Sequence, residues 1–172
     1  MMPDGESTPV FVRTASKQDL EPVRTLLRQT FHDTYDGLFG AERVEALLAE
    51  WHSLEALTRQ LSAPRSEFVV ADTGSEIVGV ASAIQEGRAV KLQQLYVVPQ
   101  AQGAGVGLSL LQEIFFCFDD ADTFWLEVHP ENRKAIDFYA RQGFAEKGPT
   151  SCRQHEDIPA IRMELNPQEI AG

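Results

Sequence analysis

The chain has 172 residues, 43% hydrophobic and 24% charged, enough for one domain that buries roughly two-thirds of its unfolded surface. Its net charge of -11 argues against a nucleic-acid partner, because phosphate-backbone binding needs clustered Lys and Arg. The same charge suits a cationic substrate and equally suits solubility alone. No run approaches the ~18 apolar residues of a membrane span, so no membrane partner is expected.

Met1 to Pro9 lacks an apolar h-region and reads as a disordered tail (residues 1–9). A single domain over residues 10–166 follows, then a C-terminal tail over 167–172. Val10 to Thr14 alternates as a first strand. Ser16 or Asp19 caps a helix to about Phe31, with Leu20, Val23, Leu26, Leu27 and Phe31 along one stripe. A second helical region spans about Ala41 to Leu61, with Val44, Leu47, Leu48 and Trp51 on one face and a restart cap at Ser53. Phe68–Ala71 and Ile77–Ala83 flank a hairpin turn, and Ala89–Val98 is a further strand. A helix to about Phe118, a strand Thr123–Val128 and a helix Asn132–Gln142 ended by Gly143 come next. Strands near Phe144–Lys147 and Ile158–Leu165 close the pattern, with Gly148 to Asp157 as a loop between them. Cys117 and Cys152 lack metal-ligand spacing. Cys117 reads as a buried free thiol in a helix face, so a cytoplasmic protein without a metal is expected.

The segment Gln102-Gly103-Ala104-Gly105-Val106-Gly107 lies between an apolar strand and an apolar helix. A glycine-rich turn at a helix N-terminus presents several backbone N–H groups to an anion, and the helix dipole adds to their potential. A dinucleotide-binding unit is excluded: the turn comes late, in G-x-G-x-G spacing, after an antiparallel meander. The Lys and Ser/Thr of a P-loop are also missing. Taken alone, the turn also reads as a plain helix start.

Two segments together narrow the choice. Leu95-Tyr96-Val97-Val98-Pro99 leads into the glycine turn and Leu108. Leu126-Glu127-Val128 is followed by Asn132, Ala135, Phe138-Tyr139 and Gly143-Phe144. In this order and spacing they resemble the GNAT superfamily of N-acetyltransferases, over about Phe68 to Glu164. The resemblance implies an α+β GNAT fold, with a mixed, strongly twisted sheet of about seven strands flanked by about four helices. It also implies acetyl-CoA as donor and a primary amine as acceptor.

By that resemblance the turn from Gln102 through Gly103, Ala104, Gly105, Val106 and Gly107 wraps the CoA pyrophosphate. Glycine there lets amides approach without a Cβ clash. Leu95, Tyr96 and Val97 offer backbone groups to the pantetheine arm, and an amide near Val97 serves as oxyanion donor. Asn132 contacts the CoA arm. Tyr139, four residues past Ala135 on one helix face, protonates the leaving thiolate; its other reading is a core aromatic. Glu127 shares a strand face with Trp125. It resembles the base of ribosomal-protein N-terminal acetyltransferases, and reads equally as a salt-bridged glutamate. Gln93 and Gln94 suit holding waters but cannot act as bases.

For the acceptor, His32, Asp33, Tyr35 and Asp36 fall between the first two helices in this reading. Phe31 to Tyr35 resembles a segment of bacterial polyamine acetyltransferases, and His155 in the loop before the last strand is a further acceptor-side candidate. Asp36 also reads as a surface charge, and the loop His129 is given no role. The Gly148–Asp157 loop lacks the tyrosines that grip peptides in N-terminal acetyltransferases. The expected acceptor is therefore a polyamine or other small cationic amine, with a protein N-terminus or lysine as the alternative. A CoA-binding regulatory module without turnover is a third reading. Homodimerisation is compatible with the fold, and no residue fixes it.

Overall fold

The computed structural model describes residues 9–152 and 155–170. The elements in chain order are β1 (Phe11–Thr14), α1 (Leu20–Phe39), α2 (Ala41–Trp51), α3 (Leu54–Ser62), β2 (Ser66–Asp72), β3 (Ile77–Glu86) and β4 (Ala89–Val97). After them come α4 (Val106–Cys117), β5 (Thr123–Val128), α5 (Arg133–Arg141), β6 (Ala145–Cys152), β7 (His155–Leu165) and a short α6 (Pro167–Ile170). The strands form a seven-stranded sheet in the order β1-β2-β3-β4-β5-β7-β6. β4 and β5 run parallel, whereas β1/β2, β5/β7 and β6/β7 are antiparallel. A mixed α+β sheet of the expected strand number is therefore present. Residues 1–8 of the expected N-terminal tail and the last two residues of the C-terminal one lie outside the described residues; Pro167–Ile170, within the latter, is helical.

The chain divides into two compact units. One holds Met1–Ala83 and Gln94–Cys117. In it the α1 stripe of Leu20, Val23, Leu26, Leu27 and Phe31 is buried, as its spacing requires. The helix does not stop at Phe31. Tyr35 and Phe39 continue the stripe at four-residue steps, and their rings stack at 5.5 Å. The segment from His32 to Asp36 is thus helical rather than a connection, and Gly40 alone links α1 to α2. Val44, Leu47 and Leu48 of α2 turn inward, and the Ser53 side chain accepts from the Ala56 N–H to cap α3, as expected.

Ahead of α1, Arg13 donates to Asp19 at 2.8 and 2.9 Å and to Asp72 at 3.1 Å. The Arg13 guanidinium and the Ser16 N–H hold the buried Asp19 carboxyl down at about 2. α4 places Leu110, Leu111 and Ile114 in the core. It comes so close to β3 that a Cβ on Gly79 would sit 2.9 Å from Leu110 Cδ1 and 3.3 Å from Val106 Cγ1. Here glycine is required by proximity. Cys117, expected to be buried, is half-buried at the end of α4; its thiol is free, and desolvation together with Glu67 and Glu113 pushes it up to about 11.

The second unit holds Ile84–Gln93 and Phe118–Gly172. Along β5, Phe124, Leu126 and Val128 are buried while Trp125 and Glu127 are half-buried, the expected alternation. α5 buries Ile136 and Tyr139. The expected loop from Gly148 to Asp157 is instead mostly sheet. β6 runs to Cys152, and β7 begins at His155, with Arg153 and Gln154 outside the described residues. Gly148 and Pro149 are the residues least suited to a strand here, but the pairing absorbs the first at a register shift between Glu146 and Gly148. The second is tolerated because β6 lies at the sheet edge, where a strand can lack an N–H donor.

Gly79→Ala is expected to cost about 1–3 kcal/mol, since Leu110 is fully packed and must move. Urea unfolding measures it. Leu110→Val should offset part of that loss in the double variant, and strict additivity would contradict the close approach.

Candidate functional site

The turn before α4 begins at an exposed Gln102, whose side-chain amide donates to the Val97 carbonyl at 3.0 Å. That bond ties the turn back to the end of β4. Gly103 and Gly105 adopt φ of 86° and 81°, and a Cβ on either would meet nothing within 4 Å. Glycine is needed here for conformation, not for space within the protein. Gln102, Gly103, Ala104 and Gly105 are exposed, Gly107 is half-buried, and Val106 turns into the core. Backbone amides at the start of a twelve-residue helix thus face an open surface, an arrangement suited to an anion.

On β4, Val90 and Leu92 are buried and Lys91 is half-buried, but Leu95, Tyr96 and Val97 are all half-buried in succession. The parallel ladder with β5 takes in Ala89–Lys91 against Thr123–Trp125, and β4 continues to Val97. Gln94, read as a water holder, is buried and donates to the Gln60 side chain of α3 at 2.8 Å. Gln93 is exposed.

The acceptor-side candidates on α1 separate from one another. Tyr35 lies in a buried cluster with Phe31, Val44 and Leu48, bordered by Phe39, Trp51 and Tyr96. Asp33 is exposed. His32 bridges two helices: Nδ1 lies 2.6 Å from Asp36 and Nε2 2.8 Å from Glu45 of α2. Glu45 also accepts from Arg28 at 3.0 Å. Hydrogen bonds to Glu45 and then Asp36 raise the His32 pKa above the usual imidazole value. His52, absent from the sequence reading, is buried edge-on to Phe31 at 5.1 Å. Desolvation pushes its pKa down to about 4, and its Nδ1 has no hydrogen-bond partner among the described residues.

In the second unit Asn132 is the N-cap of α5, and its side-chain oxygen accepts from the Ala135 N–H at 3.3 Å. Tyr139 is 7% exposed, with its ring edge-on to Phe138 and Phe144. The Glu127 carboxylate is held by Lys91 Nζ at 3.1 Å. His155 is half-buried as the first residue of β7, not a loop residue. Lys91 and Glu45 carry no signal in the sequence. Each matters through a partner on another element, which single-strand or single-helix periodicity does not reveal. Among the described residues no cluster fits a metal ion, and no helix is long and apolar enough to cross a membrane.

A family model described as an acetyltransferase (GNAT) domain matches residues 35–167. An uncharacterized N-acetyltransferase of Mycobacterium tuberculosis is 27% identical over 153 residues, spanning 86% of this chain and 98% of the relative. A spermidine N(1)-acetyltransferase of Thermoplasma acidophilum is 26% identical over 139 residues, spanning 77% of this chain and 86% of its own. Among solved structures, the PaiA N-acetyltransferase of Thermoplasma acidophilum in complex with coenzyme A superposes with a TM-score of 0.82 at 24% identity. That match covers 92% of this chain and 99% of the other.

The His32 bridge has a definite sign. A raised imidazole pKa means the bridge stabilises fully below the ordinary value of 6.5 and is lost as pH rises through the raised one. The urea midpoint of the protein relative to His32→Gln should therefore fall as pH climbs above about 6.5. A difference that stays flat across that range would exclude a charged bridge.

Proposed function

Since the chain belongs to the GNAT acetyltransferase family and is an N-acetyltransferase, we propose that it transfers acetyl from acetyl-CoA to a small cationic amine, a polyamine foremost, within a ternary complex. The observation that carries the donor assignment is the turn at Gln102–Gly107. Two positive-φ glycines expose successive amides at a helix start, and Gln102 staples them to the end of β4. Those amides take the pyrophosphate, and the backbone of Leu95, Tyr96 and Val97 takes the pantetheine arm. Acetyl-CoA supplies a thioester carbonyl, and an amide near Val97 receives the developing oxyanion.

Glu127 accepts the proton that the acceptor ammonium must lose, directly or through water, so that the amine nitrogen can form its bond to the carbonyl carbon. As the carbon–sulfur bond breaks, Tyr139 gives its phenolic proton to the thiolate. Asn132 serves through its side-chain NH2, since its oxygen is committed to the α5 cap. The Tyr139 ring is set edge-on between Phe138 and Phe144, which fixes where its hydroxyl lies.

The cationic acceptor is supported by the net charge of -11 and by the carboxylates of α1 and α2, Asp36 and Glu45, which already hold the His32 imidazole. The spermidine N(1)-acetyltransferase among the relatives is consistent with it. Asp33 is accessible to a second ammonium, while Tyr35 sits in the cluster that packs α1. His155, at the start of β7, is a further acceptor contact. The two free cysteines fit a reducing compartment, the cytoplasm.

Tyr139→Phe is expected to lower kcat about tenfold or more while acetyl-CoA affinity stays nearly constant. An unchanged kcat would remove Tyr139 from the chemistry. The acceptor assignment is decided by a screen of spermidine and small diamines against N-terminal peptides. Turnover with peptides alone would overturn the polyamine reading, and no turnover across the whole panel would favour a CoA-binding module.

A further inference from the structure

Lys91, Trp125, Glu127, Arg162 and Glu164 occupy one face of three strands. Lys91 pairs with Trp125 across β4 and β5, and across β5 and β7 Trp125 pairs with Glu164 and Glu127 with Arg162. Directly opposed residues point to the same side of a sheet. Register alone would give Glu127 to Arg162. The structure does otherwise. The Arg162 guanidinium lies over the Trp125 ring, 3.9 Å from its centroid, and donates to Glu164 at 2.8 Å. The Lys91 ammonium, 4.9 Å from the same centroid, takes Glu127 at 3.1 Å. Two cations and two carboxylates are thereby matched one to one, with the indole holding both cations in place.

We propose that Lys91 is a positioning residue that fixes the Glu127 carboxylate for proton removal, with Trp125 as the shelf that holds Lys91 and diverts Arg162. The inference rests on the reading of Glu127 as the base. The physical case is competition between two cations for one carboxylate. The Glu127 and Lys91 side chains are 21% and 32% exposed, so solvent screens their pairing less than it would on an open surface. If the Lys91 charge is removed, the nearest remaining cation in register is Arg162. Glu127 then turns toward β7, and its oxygens leave the position that Lys91 enforces. Trp125 matters because cation–π attraction and stacking keep Arg162 from making that capture in the native arrangement.

Lys91→Met keeps the aliphatic stem on the indole and deletes the charge. It should lower kcat about five- to tenfold, with the KM for acetyl-CoA and for spermidine changed less than about twofold. Lys91→Arg should restore most of kcat, and this rescue also controls for a folding defect. In a Glu127→Gln background Lys91→Met should have no further effect, because Lys91 acts through Glu127. An unchanged kcat in Lys91→Met, or the same added loss in the Glu127→Gln background, would overturn the inference about Lys91 alone. A Glu127→Gln variant with wild-type kcat and an unaltered acidic limb of kcat/KM would instead overturn the base reading, and the Lys91 inference with it.

Discussion

α4 seats against β3 where Gly79 offers no side chain, and the geometry of the glycine turn depends on that seat. Val106 and Leu110 stand one helical turn apart and press on the same glycine. Because Val106 is also the first residue of α4, the point where the helix begins is pinned to the sheet. The turn is pinned at its other end by the bond from Gln102 to the Val97 carbonyl. Between two fixed ends, Gly103 and Gly105 take conformations that a side chain would resist. Such preorganisation suits the proposed anion site, since a floppy turn would have to be ordered on each binding event.

An acidic chain has to decide which of its carboxylates stay available. Much of the negative charge is answered locally: Asp19 and Asp72 by Arg13, Asp122 by Arg88, Asp36 and Glu45 by His32 and Arg28, and Glu127 by Lys91. Of these, the His32 set is the one whose cation is an imidazole, the side chain whose ordinary value lies in the physiological range, and its carboxylates raise that value. Its two carboxylates come from different helices, so the same group that closes α1 onto α2 also sets how much negative potential they present at that surface. The Arg13 set works differently, because a guanidinium does not titrate in that range.

Periodic segments were legible because burial repeats along them. The α1 stripe, the alternation in β5 and the cap at Ser53 follow directly from residue spacing. The misread parts share a cause. α1 continues past Phe31 through polar residues because Tyr35 and Phe39 stack on each other and pack in a cluster with Val44 and Leu48 of α2. β6 continues through Gly148 and Pro149 because β7 supplies hydrogen bonds, and an edge strand tolerates a missing donor. In both places local propensity yields to contacts between segments distant in the chain.

From its order of residues alone the chain determines a strand–glycine turn–helix unit suited to a phosphate, and a later helix carrying Asn132 and Tyr139 at one spacing. These are local properties: backbone conformational freedom and side-chain direction depend on neighbours a few residues away. Only the tertiary structure decided that Gln102 binds the strand before it, that His32 lies between two carboxylates, and that Glu127 is held by Lys91 rather than by the Arg162 opposite it. Partner choice among charges depends on register and on competing contacts such as the Trp125 ring, and neither is encoded in the spacing of any one segment.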